Sequence, residues 1–172
     1  MDKSNIALIG MMGTMKTSIG KLLAERTGKT FLDTDEMYEK AEGRTISETF
    51  DTDGEAYFRL KETEIVKKAS SELNAVISCG GGVPLKSENV EALRASSIVV
   101  LLTATPECIL KRTSVNDDRP LLRGGDLERI KKICADRKKA YESSADVSID
   151  TTDKTPIDCL PLIEQELIKI KG

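Results

Sequence analysis

At 172 residues, with 39% hydrophobic and 32% charged side chains, the chain has room for one domain with a substantial core and too little for two of ordinary size. A net charge of −3 gives no electrostatic reason to hold nucleic acid or an anionic membrane, although locally grouped arginines still suit a small anion. There is no histidine, and Cys79, Cys108, Cys134 and Cys159 form no C-x-x-C pair, which argues against zinc sites and histidine-assisted nucleophiles and for reduced thiols acting as small core residues.

The opening MDKSN runs straight into a short apolar stretch without the long apolar region of a signal peptide, and no segment approaches membrane-spanning length, so a cytosolic location is the default expectation. Apolar runs then predict strands over 6–9, around 30–32, and over 75–78, 98–102 and 147–149. Helical periodicity fills the intervals: 16–27, stopping at Gly28, a helix from 33 onward, then 55–71, 87–95, 106–112, 127–141 and 155–170. Alternating strands and helices with short connections predict an α/β sandwich on a parallel sheet, with no repeat or linker to divide it. The least regular stretch, SVNDDRPLLRGGD over 114–126, reads equally as a lid or as a plain surface excursion. In the last helix Ile157, Leu160, Ile163, Leu167 and Ile170 recur at helical spacing, which predicts packing on the sheet rather than on a partner, and hence a monomer.

Asn5 to Gly20, NIALIGMMGTMKTSIG, has the layout strand, tight loop, helix. In G-x-x-x-x-G-K-[ST] the loop amides and the helix N-terminus cradle phosphate, lysine reaches the β- and γ-phosphates, and the hydroxyl holds Mg²⁺. Gly10, Lys16 and Thr17 match, but Met15 stands where the motif asks for glycine. A side chain there brings a Cβ penalty and fills space beside phosphate, so a weakened cradle is expected. Alternatively the stretch is a strand, turn and helix with an incidental lysine.

Asp33, Thr34 and Asp35 follow the second strand, at the sheet edge where the phosphate loop also opens. One acid could hold a metal through water and the other accept a proton from an attacking hydroxyl; equally, Asp35 could be an ordinary helix cap. Phe50 and Phe58 bracket a turn before Arg59, a grouping suited to a flat ring bearing a carboxylate, or else two core aromatics and a solvated arginine. Gly80, Gly81 and Gly82 end the third strand, where either a close-approaching substrate or a flexible turn explains them. Arg112, Arg119 and Arg123 precede or lie in the irregular stretch, where an arginine could close over a γ-phosphate, and Arg137 lies on a highly charged helix whose face could simply be solvated.

In order, the phosphate loop, LDTD, YFR, CGGG, DRPLL and DRKKAY resemble the shikimate kinase family across essentially the whole chain. That resemblance implies a three-layer α/β/α P-loop kinase fold like that of nucleoside monophosphate kinases, with a five-stranded parallel sheet, a lid near 114–126 and a helical substrate-binding region near 33–62. It implies transfer of the γ-phosphoryl of ATP to the 3-hydroxyl of shikimate, a step toward chorismate and the aromatic amino acids. Nucleotide would lie on Gly13, Thr14, Met15, Lys16, Thr17, Ser18, Arg112 and Arg119, with Arg112 against adenine. Mg²⁺ would be held by Thr17 and, through water, by Asp33. Lys16, Asp35 and Arg119 would act in catalysis, and Asp35, Arg59, Gly80, Gly81, Gly82 and Arg137 would hold shikimate. Two other readings stay open: a non-catalytic module keeping the acceptor pocket, and a kinase of another small hydroxy acid.

Overall fold

The computed structural model describes residues 3–114 and 127–172. Five parallel strands, β1 (Asn5–Ile9), β2 (Thr30–Asp33), β3 (Ala75–Ser78), β4 (Ser97–Thr103) and β5 (Val147–Asp150), form one sheet in the order β2-β3-β1-β4-β5. The helices are α1 (Lys16–Thr27), α2 (Thr34–Glu42), α3 (Ile46–Thr52), α4 (Gly54–Ser71), α5 (Ser87–Ser96), α6 (Pro106–Thr113), α7 (Leu127–Ser144) and α8 (Pro156–Lys171), with a 3-10 turn at Val83–Leu85. The three-layer α/β arrangement and all five expected strands are present.

The central strands are apolar on both faces because each face carries helices. Ala7, Ile9, Ile77, Val99 and Leu101 pack beneath α4, α5, α6 and α7, through Val66, Leu93, Ile109 and Ile130. Ile6, Leu8, Val76, Val100 and Leu102 pack beneath α1 and α8, through Ile19, Leu23 and Ile163. On α8 only the middle of the expected stripe is covered: Leu160, Ile163 and Leu167 are buried, whereas Ile157 and Ile170 are exposed. A stripe of five at that spacing drifts around the helix, so its ends leave the contact face.

Sequence periodicity did not separate α3. Its start is a capping box: Thr45 Oγ1 accepts from Glu48 N at 3.1 Å and Glu48 Oε2 accepts from Thr45 N at 2.7 Å. α2, α3 and α4 share a small core of their own, in which Phe58 meets Tyr38 and Phe50, each at 4.9 Å between ring centroids. Because β1 and β3 are neighbours, the loops leaving their carboxyl ends open side by side, and this places the site.

Candidate functional site

The loop between β1 and α1 takes a sharp path that its first glycine requires. Gly10 has φ 144°, and a Cβ there would lie 2.2 Å from the Leu102 carbonyl oxygen. Met15 has φ 67° and ψ 25°, the left-handed conformation that glycine adopts freely. The main chain therefore keeps the turn that the motif's glycine serves, at a cost of about 1–2 kcal/mol for a residue with a Cβ. Two contacts hold it there. The Met15 carbonyl accepts from Ile19 N at 2.9 Å, and the thioether packs against the cluster beneath α1 and α8 while still bordering the cleft.

Lys16 lies across this loop, its Nζ donating to the carbonyls of Gly10 and Met11, both at 2.9 Å. Thr14 is buried and staples the loop, its hydroxyl donating to the Met11 carbonyl at 2.7 Å, so that side chain does not border the cleft. Thr17 opens α1 and donates to Asp33 Oδ2 at 2.8 Å, with Ser78 Oγ 3.4 Å away. Asp33 itself caps α2 through Oδ1, which accepts from Asp35 N at 3.0 Å and from Glu36 N at 3.3 Å. The cap is therefore Asp33 and not Asp35.

Asp35 is left with its carboxylate in the cleft. The side chain is open toward the cleft mouth but crowded by protein on its other sides. That desolvation, with the charges of Asp33 and Glu62 added, pushes its carboxyl up to about 6 against the opposing pull of Lys16. An acid poised there is ionised at neutral pH yet basic enough to take a proton from a hydroxyl.

The glycine run forms the floor beside it. A Cβ on Gly80 would lie 2.6 Å from Asp35 Oδ1, and one on Gly82 would lie 2.1 Å from Arg59 Nη1. Gly81 lies under Arg137, whose Nη1 would be 3.3 Å from such a Cβ. A side chain at Gly80 or Gly82 would therefore require the Asp35 carboxylate or the Arg59 guanidinium to shift, whereas at Gly81 the contact is tight but smaller. Gly80 N donates to Thr34 Oγ1 at 2.9 Å, which fixes it to the start of α2.

Arg59 leaves α4 toward Gly82 and is gripped by Glu62, with Nη1 2.8 Å from Oε2 and 3.0 Å from Oε1. Glu62 is buried, which pushes its carboxyl up, while Arg59 and then Arg137 draw it back down. Arg137 on α7 is also buried, and its Nη1 makes no hydrogen bond. A buried guanidinium nitrogen without a partner beside an open cleft is a place for an anion's oxygen.

Arg112 on α6 donates to Gly13 O at 3.1 Å, Thr151 Oγ1 at 3.0 Å, Thr151 O at 2.6 Å and Lys154 O at 3.3 Å. It ties the phosphate loop to the chain between β5 and α8. A single cleft of about 850 Å³ is bordered by Gly13, Met15, Lys16, Thr17, Ser18, Asp33, Asp35, Arg59, Gly80, Gly81, Gly82, Arg112 and Arg137. Arg119 and Arg123, in the stretch expected as a lid, lie outside the described residues. Glu62 and Tyr141 were not singled out from the sequence, although Glu62 lies three residues beyond Arg59 and Tyr141 four beyond Arg137, both facing spacings on a helix.

The oxygen set of Thr17, Asp33 and Ser78 suits a hard divalent cation. Among the described residues no group of three or more His, Cys, Asp or Glu could hold a metal by itself. Mg²⁺ keeps several waters and takes phosphate oxygens alongside one or two protein groups, a demand that the Thr17 hydroxyl and the Asp33 carboxylate can meet. No helix among the described residues is long and apolar enough to cross a membrane.

The family model described as "Shikimate kinase" matches residues 12–169. The shikimate kinase of Caldanaerobacter subterraneus subsp. tengcongensis is 43% identical, over 98% of this chain and 98% of that one. That of Symbiobacterium thermophilum is 42% identical over 95% of each. Among solved structures, shikimate kinase from Acinetobacter baumannii in complex with shikimate superposes with a TM-score of 0.93 at 34% identity, covering 97% of this chain and 94% of that chain. The shikimate kinase of Aquifex aeolicus gives 0.82 at 35%, covering 95% of each. With the phosphate loop, the paired acids, the glycine floor and both arginines gathered on one cleft, this chain belongs to the shikimate kinase family.

Proposed function

We propose that the chain transfers the γ-phosphoryl group of ATP to the 3-hydroxyl of shikimate, with Lys16 and Asp35 facing the two reacting groups. The observation that carries this reading is the meeting of the Lys16 loop, the Asp35 carboxylate and the Arg137 guanidinium, whose Nη1 has no hydrogen-bond partner, in one cleft. The triphosphate would run along the loop amides of residues 13–18, with Lys16 leaving the Gly10 and Met11 carbonyls for the β- and γ-phosphate oxygens. Shikimate would lie on Gly80, Gly81 and Gly82, its carboxylate between Arg59 and Arg137 and its ring beside Phe50 and Phe58.

The hydroxyl oxygen then attacks the γ-phosphorus as its bond to the bridging oxygen of ADP breaks. Asp35 accepts the hydroxyl proton, and Lys16 offsets charge on the leaving phosphate. Thr17 and Asp33 would hold Mg²⁺, directly and through water, and that ion, when bound, neutralises phosphate charge. Arg112 would border the adenine. Arg119 would stabilise the transferring group, a role that rests on the sequence alone. Because the chemistry is mostly positioning and charge stabilisation, the lack of histidine is no obstacle.

Met15 is expected to weaken nucleotide binding without abolishing it. Its backbone keeps the left-handed turn, but the thioether narrows the phosphate side of the cleft. Steady-state assays with shikimate and ATP, with and without Mg²⁺, test the reaction. Metal-dependent formation of shikimate 3-phosphate supports it, and a non-carboxylate polyol reacting better than shikimate would overturn the acceptor assignment.

A further inference from the structure

Tyr141 takes no part in the chemistry above, yet it touches both halves of the site. It is buried on α7, one turn beyond Arg137. Its hydroxyl donates to the Gly81 carbonyl at 2.7 Å, and the same oxygen lies 3.9 Å from Met11 Sδ. Gly81 is the middle of the acceptor floor. Met11 is buried in the phosphate loop, where its carbonyl accepts from Lys16 Nζ and from the Thr14 hydroxyl. The ring itself is embedded with Ile9, Cys79 and Val83 in the cluster beneath α7, so the hydroxyl has little freedom to move.

The rest of the run from Gly80 to Val83 is held within itself and from other elements. Gly80 N is held by Thr34, Val83 N donates to the Gly80 carbonyl at 3.1 Å, Leu85 N to the Gly82 carbonyl at 3.1 Å, and Asn89 Nδ2 to the Val83 carbonyl at 3.0 Å. Of the four residues, only Gly81 has its carbonyl held from the α7 side, beside the guanidinium of Arg137. Three successive glycines have no side chains to fix their own path. We infer that Tyr141 is a positioning residue: its hydroxyl sets the height of Gly81 against Arg137 and against the phosphate loop, and so fixes where the acceptor sits relative to the γ-phosphate.

This rests on the shikimate kinase reading, and the test keeps the two apart. Tyr141→Phe retains the ring and its packing and removes only the hydroxyl's contacts with Gly81, Met11 and Arg137, a small part of the stability of a domain of this size. Ile163→Val, a buried truncation under α8 on the other face of the sheet, serves as a control for lost stability alone. Thermal midpoints, kcat and both KM values are measured for the wild-type chain and the two variants. The expected result is a rise of about tenfold in the KM for shikimate in Tyr141→Phe, with a lower kcat, a change of less than about twofold in the KM for ATP, and no such split in Ile163→Val. Unchanged kinetics in Tyr141→Phe, or KM changes that match those of Ile163→Val, would overturn the role of Tyr141. If the wild-type chain did not phosphorylate shikimate, the functional reading itself would fall first.

Discussion

Asp35 and Glu62 bring carboxylate oxygens to the same point above Gly80, where an added Cβ would lie 2.6 Å from Asp35 Oδ1 and 3.2 Å from Glu62 Oε1. Neither acid can retreat far, since Glu62 is held by Arg59 and Asp35 stands on the first turn of α2. Gly80→Ala is therefore expected to displace the Asp35 carboxylate and lower kcat/KM for shikimate by about a hundredfold, the scale of a misplaced catalytic group. Wild-type kinetics in the alanine variant would show that the two acids have more room than their spacing implies.

The same crowding makes Asp35 unfavourable for the apo fold. Its carboxyl rises from 3.8 to about 6 through desolvation first and then through Asp33 and Glu62. A carboxyl raised in the folded state contributes stability that is full below pH 3.8 and is lost as pH climbs through about 6. Without screening the ionisation would cost about 3 kcal/mol; solvent at the cleft mouth reduces this to about 1 kcal/mol. Asp35→Asn should abolish turnover and, without ligand or metal at pH 7.5, raise the thermal midpoint by about 2–4 °C, an advantage that disappears near pH 4. A lower midpoint for Asp35→Asn at pH 7.5 would contradict this.

Arg59 and Arg137 flank the same floor but differ in what they leave behind. Removing Arg59 strands Glu62, whose side chain is only 4% exposed, so Arg59→Ala is expected to lower stability by about 3 kcal/mol as well as binding. Arg137 has one nitrogen without a partner and a weaker hold on Glu62 than Arg59 has, so Arg137→Ala should cost the apo fold less than Arg59→Ala while raising the KM for shikimate by about thirtyfold or more. Thermal melts set beside acceptor titrations separate the two effects. Equal stability losses would remove the distinction.

Met15→Gly relieves a left-handed residue, worth about 1–2 kcal/mol, but loses the thioether's packing and adds about 0.5–1 kcal/mol of unfolded-chain entropy. Stability should therefore change little, whereas the Kd for ATP should fall by about threefold or more as the phosphate side of the cleft widens. Met15→Ala keeps the strain, loses the packing and should be the less stable variant. Calorimetry returning equal or weaker ATP affinity for Met15→Gly would mean that the loop accommodates methionine fully.

Much of this was legible from residues alone, because β-strand runs such as Ala75–Ser78 are bounded by glycine and Asn74, and because the phosphate loop, Asp33 to Asp35 and the glycine run all fall at strand ends. α3 was not separated from its neighbours, although Thr45 and Glu48 form a capping box, since seven residues are too few to show a period. Glu62 escaped notice because its importance is tertiary: an acid three residues past an arginine on a helix reads as a solvated ion pair until Gly80 closes over it. The conformation of Met15 was hidden for a different reason. Side-chain volume suggested a disrupted loop, whereas the backbone follows the glycine path and the thioether turns partly into the core.

The most direct test of two substrates meeting in one cleft is a single-turnover experiment with the wild-type chain in excess over radiolabelled ATP, with Mg²⁺ and saturating shikimate. Label transferred stoichiometrically to the 3-hydroxyl of shikimate is the expected result. No transfer, with shikimate binding still measurable by calorimetry, would identify a ligand-binding module instead and contradict phosphoryl transfer from ATP to shikimate in the cleft of Lys16 and Asp35.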